Sequence, residues 1–347
     1  MGVRHRQGRW LPDIEPLEQT MADQFQSTAT SAALASGIPY FRANATGPDA
    51  TATGSTAIAI GQSANAPGAD GIAIGTESVA EGSNNAVAVG TIARASGIYS
   101  VAVGRAAQAT VGRASALGAE ANASGDRSTA VGSTTSATAL FATAVGTLAV
   151  AAAEGASAFG RQANASAPYS VASGAGAVAS SNDAVAVGSK ASASGANAIA
   201  LGVAVASAVR AVAIGDQSSV TASQSVALGA NSGASQMFAC AIGANTQASQ
   251  VGTVALGASS AAPALYGSAL GSQSRVNVDY GVAIGYGSVC DRAGAVSVGA
   301  EGARTRQIVN VAPGEQGTDA VNVDQLQALQ AQLTALSDRV ASLTGAS

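Results

Sequence analysis

The sequence predicts a mainly β fold, a solenoid of 14-residue coils, on three observations: a glycine at fixed spacing, alternating small and larger apolar residues before it, and a composition unsuited to an ordinary core. The glycine recurs at Gly61, Gly75, Gly90, Gly104, Gly118, Gly132, Gly146, Gly160, Gly174, Gly188, Gly202, Gly215, Gly229, Gly243, Gly257, Gly271, Gly285 and Gly299. Of these seventeen intervals, fifteen are 14 residues, one is 15 and one is 13. A fixed period of this kind implies stacked units that each contact only their neighbours. A partial earlier copy places Gly47 one period before Gly61, with Ala50, Ala52 and Gly54 in register.

Within each copy the residue before the glycine is large and apolar, as in Ile60, Val103, Leu117, Phe159 and Ile284, with Ser173 as an exception. Two before it stands alanine in every copy from Ala59 to Ala283, and Ser297 closes the series. Alternation at period two places these residues on opposite faces of a strand. A second small pair follows the glycine at +3 and +5, as in Ala64/Ala66 and Ala191/Ala193, so each coil reads strand, turn, strand, turn. An even period restores the same facing after every coil, so the two irregular intervals must be absorbed in turns. The extra residue is expected among Ser83, Asn84, Asn85 and Ala86, and the missing one near Ala208–Arg210.

Composition agrees with thin, regular layers. Only 3% of the chain is aromatic and 10% charged, while glycine reaches 42 residues, so backbone must pack closely against backbone. Two short strands per coil cannot bury both of their faces. One apolar face is left for a partner, and closed symmetry among identical chains supplies one without uncontrolled growth. The pattern leaves open which face that is.

The repeat ends after Gly299. Residues 305–330 read TRQIVNVAPGEQGTDAVNVDQLQALQ, and Leu326, Leu329, Leu333, Leu336, Val340 and Leu343 then alternate spacings of three and four. That is a coiled-coil seam, too short to be stable alone, which must dock on the solenoid or begin a longer stalk. The chain therefore divides into an irregular N-terminal segment (1–43), a head of about eighteen coils (44–303), a neck (304–325) and a stalk start (326–347).

Head repeats such as SVAVGRAA (100–107) and SVALGANS (225–232), together with the neck RQIVNV…DAVNVDQL (306–326), resemble the YadA-like trimeric autotransporter adhesins. The resemblance implies a left-handed parallel β-roll, an obligate homotrimer, and attachment to host surfaces, extracellular-matrix proteins or other bacterial cells. It singles out Asp319, Ala320, Val321, Asn322, Val323, Gln325 and Leu326 as the neck that joins the wide roll to a narrow coiled coil. Members of that family carry an export signal and a C-terminal membrane anchor. Here Arg4, His5, Arg6 and Arg9 are followed by Asp13, Glu15 and Glu18 rather than by an apolar stretch, and no apolar run reaches spanning length. Membrane association is thus expected only through an anchor outside this chain, with a start at Met21, a fragment, or another export route all open. The family's collagen-linked NSVAIG pattern is approached only by NAIALG (197–202), so collagen binding is not transferred. The alternative reading is a structural module of a trimeric phage or secreted fibre.

Other chemistries fit poorly. Net charge −4 without a basic cluster argues against nucleic acid. The one histidine, His5, lies outside the repeats, so neither a Ser-His-Asp triad nor a Cys-His pair can form there, and the expectation is a non-enzymatic protein without cofactor or metal. Cys240 and Cys290 occupy the −3 and +5 strand slots and read as small apolar fillers. GAGAVA at 174–179 lies in repeat register rather than at the start of a helix, against a dinucleotide turn. The sequons at Asn122 and Asn164 share one repeat slot, which explains them more simply than glycosylation does, and a third stands at Asn44.

Overall fold

The computed structural model describes residues 47–302 and 305–345. The irregular N-terminal segment, His5 and Asn44 lie outside them. The chain forms two compact units, Met1–Ala213 and Ile214–Ser347, built from the same coil.

A regular coil contributes a three-residue strand ending just before the repeat glycine and a two-residue strand four residues after it, such as Val101–Val103 and Gln108–Ala109. Within each unit the longer strands stack on one another in parallel, and the shorter strands form a second parallel sheet. Pairing is residue for residue: Ala116 lies between Ala102 and Ala130, and Ala123 between Ala109 and Ala137. The second unit repeats this with Val226↔Cys240 and Ser219↔Gly233. The early copy is real, for Thr51–Ala52 pairs with Asn65–Ala66.

The alanines face inward. Ala102, Ala116, Ala130 and Ala144 from the long strands are fully buried, as are Ala107, Ala109, Ala121 and Ala123 from the short-strand side. Among the described residues the largest fully buried side chains are Val220, Val276, three threonines and Cys290, so the two sheets of a coil close over small groups. Many inward hydroxyls are satisfied locally, as Ser100 donates to the Gly97 carbonyl at 2.7 Å and Ser170 to Ala167 at 2.6 Å, whereas Ser128 and Ser260 have no partner. So small a core yields little hydrophobic stabilisation per residue, and the inter-coil backbone ladder, at roughly 1 kcal/mol net per bond, carries correspondingly more.

The glycine turn is steric in origin. Gly118 sits at φ +136, and a β-carbon there would lie 2.4 Å from the Gly132 carbonyl oxygen of the next coil. Both kinds of turn also hold one residue in the left-handed region, as at Lys190 (φ 59) after Gly188 and at Tyr99 (φ 57) in the opposite turn.

The long interval behaves as expected, with the added residue at Ser83 in the turn between Val79–Ala80 and Val87–Val89, while Ala73↔Ala88 stays in register. The short interval does not. Ser192 pairs with Val205 and Ala193 with Ala206, so the missing residue belongs to the turn Gly202–Ala204, not to Ala208–Arg210. That turn has dropped the left-handed residue after its glycine, and Gly202 adjusts to φ 96. Losing a turn residue leaves strand facing intact, and the run of small apolar residues from Val203 to Ala208 hid the position in the sequence.

Candidate functional site: the outward apolar sheet, the neck and the stalk seam

With alanine inside, the larger apolar residues of the long strands must point out. In the first unit Ile74, Val103, Leu117, Phe159 and Val187 are all exposed, Phe159 at 42%. In the second, Leu228, Leu256 and Ile284 continue the pattern. The outward slot of the short strands is mixed: Asn65, Arg94, Gln108, Asn122, Asn164, Gln247 and Arg275 share it with Val79, Val150, Val178, Val205 and Val289. Each unit therefore carries a more apolar face on its long strands and a more polar one on its short strands. Exposed apolar surface that runs from coil to coil marks interaction sites on soluble proteins, which makes the long-strand face the candidate interface.

The neck is a pre-formed clip, and its polar motif residues make it. Asn322 caps the helix Val323–Thr344, called α1 here, accepting from the Gln325 amide at 3.0 Å. Its amide nitrogen also donates to the Val311 carbonyl at 3.2 Å. Gln325 closes the capping box by accepting from the Asn322 amide, and clamps Gly314 from both sides, accepting from its N–H at 2.9 Å and donating to its carbonyl at 3.0 Å. Asp319 accepts from the amides of Glu315 and Gln316 at 3.0 and 2.9 Å, and these bonds hold its carboxyl below the usual aspartate range. Ala320 packs behind Gly314, where a β-carbon would meet the Ala320 carbonyl at 3.0 Å. Val321, Val323 and Leu326 are left outward, as are Ile308 and Val309 on the facing strand of chain.

Helix α1 has no buried residue, so it is not docked on the solenoid. Its six seam residues, Leu326, Leu329, Leu333, Leu336, Val340 and Leu343, are all more than half exposed.

Comparison with known proteins bears on what these surfaces do. The model for the YadA head domain repeat matches in overlapping and successive stretches between residues 52 and 288, and that for the coiled stalk of trimeric autotransporter adhesins matches 307–347. Together they cover more than half of the chain. The chain belongs to the YadA-like trimeric autotransporter adhesins. No curated protein matches it. Among solved structures, the collagen-binding domain of the Yersinia adhesin YadA is 38% identical over 47% of this chain and 83% of that one, with a TM-score of 0.39.

A YadA-like adhesin is not an enzyme, and the remaining candidate residues have structural places. Gly61 to Gly285 of the repeat series all adopt positive φ. Gly174 and Gly176 form a repeat turn followed by the strand Val178–Ala179, not by a helix. Cys290 is buried inside its coil, whereas Cys240 lies on the outward apolar sheet, where burial raises its thiol pKa. Among the described residues no group of three or more His, Cys, Asp or Glu could hold a metal, and no helix is long and apolar enough to cross a membrane. The motif pattern did not reveal the turn edges, where Arg127 stands 5.2 Å over Phe141 and Tyr266 stacks on Tyr280 at 5.5 Å.

Proposed function

We propose that the chain is the head, neck and first part of the stalk of a homotrimeric surface adhesin that attaches its cell to host surfaces, to extracellular matrix or to other bacterial cells. The observation that carries the reading is the one-sided placement of apolar side chains. The long-strand face, the outer valines of the neck and the α1 seam all need partners, and three copies about one axis supply them together. The sheet of short strands and the turn edges then remain for the ligand, with affinity multiplied by three chains per head and many heads per cell. The head, neck and stalk take the boundaries 44–303, 304–325 and 326–347, with the helix cap at Asn322 inside the neck.

Two measurements test the two halves of the proposal. Sedimentation of the purified chain should give a trimer at micromolar concentration, and a stable monomer overturns the assembly. Beads coated with the trimer should adhere to matrix-coated surfaces or cells above uncoated beads. A trimer that adheres to neither sinks the adhesive reading while sparing the assembly.

A further inference from the structure

A parallel solenoid leaves backbone groups unpaired wherever it ends, and the last turn of this one is closed by a residue from outside the repeat. In a regular coil the carbonyl before the repeat glycine accepts from the next coil's glycine amide, as Leu256 does from Gly271 at 2.7 Å. The carbonyl after the glycine accepts from the next coil's second turn residue, as Ser272 does from Gly287 at 2.9 Å. At Gly285 the glycine ladder does not continue. The Gly299 amide turns instead to the Ser297 hydroxyl, and the Gly299 carbonyl takes the Val289 amide at 2.7 Å, a place held one coil earlier by the Ser288 carbonyl. The chain has cut the corner and left the solenoid.

Arg306 fills the gap. Its guanidinium donates to the carbonyls of Tyr286 and Val298 and, at 2.6 Å, to the Ser288 hydroxyl. Ser288 in turn donates to the Ile284 carbonyl at 2.6 Å. The space is the one a further coil would use. A β-carbon on Gly271 would meet the Gly285 carbonyl carbon at 2.5 Å, whereas one on Gly285 would meet the Arg306 guanidinium carbon at 3.1 Å. We infer that Arg306 is the end cap of the solenoid: its planar fork stands in for the missing coil and fastens the neck to the head. The inference does not depend on what the adhesin binds. Arginine suits the task because it offers several donors in one plane and keeps its charge at every physiological pH.

Hydrogen exchange on the assembled full chain tests the cap. Arg306→Ala should accelerate exchange of the amides in 282–299 by roughly tenfold or more, the factor expected when a charge-assisted hydrogen bond is lost. The coils of 226–256 should stay at wild-type rates. Arg306→Lys keeps the charge without the fork and should fall between the two, and it provides the reading if the alanine variant does not assemble. Unchanged exchange in 282–299 overturns the cap, as does equal acceleration in 226–256, which would mean general destabilisation instead.

Discussion

The coils and the stalk helix solve the same problem in opposite ways. In a coil, every inward position is filled from the same chain, and Ala116 or Ala158 has no exposed surface at all. In α1 nothing is buried, although its seam is as regular as the repeat. The coil needs partners only for its outer face, whereas the helix needs them to have a core of any kind. Local stability and assembly are thus written at different positions, even along one strand: Ala158 belongs to the first and its neighbour Phe159 to the second.

Filling the coil should break this division most severely. Ala158→Leu forces a branched side chain between Ala144 and Ala172, and overpacking should cost on the order of 3 kcal/mol, read as a lower midpoint in denaturant. A near-wild-type midpoint would mean that the sheets can separate and that the interior is not the constraint. Next comes the outer face. Val187→Asp should leave the coil folded by circular dichroism but shift sedimentation from trimer to monomer, since burying an unpaired carboxylate in the interface costs at least about 2 kcal/mol. A stable Val187→Asp trimer would place the interface elsewhere. Leu333→Asp should act more locally still, melting α1 while the solenoid keeps its protection from exchange. Loss of solenoid protection in that variant would show the head to depend on the stalk.

The smallest effect concerns the neck. Asp319 titrates below the ordinary aspartate value of 3.8 because its carboxylate accepts two backbone amides. Its contribution is therefore full above that value and disappears as pH falls through the lower folded value. Protection of the Glu315 and Gln316 amides, measured against their intrinsic exchange rates, should fall on acidification through this window, and Asp319→Asn should flatten the response. A wild-type response that survives in Asp319→Asn would assign the pH dependence to another group.

Much of this was legible in the residues. The period, the strand–turn order and the small pairs at +3 and +5 follow from spacing, because each coil repeats one local solution. The direction of the faces was not legible: alternation marks two faces, and only the lack of room between sheets decides that alanine goes inside and Phe159 outside. The deletion was misplaced because Val203–Ala208 offers no large residue to mark the register. In the neck, the motif residues were recognised, but their bonds to Val311 and Gly314 span eleven residues of irregular chain with no period to reveal them. Arg306 lay in the recognised neck segment, yet its partners Tyr286, Ser288 and Val298 become neighbours only once the last coil turns away.

The even period and the methyl-sized core together make length the most freely varied property of this molecule. An in-frame duplication or loss of one coil returns every later side chain to its former side, closes over the same alanines and leaves the cap and neck untouched. The number of coils can then change by recombination alone, one at a time, with no compensating substitution.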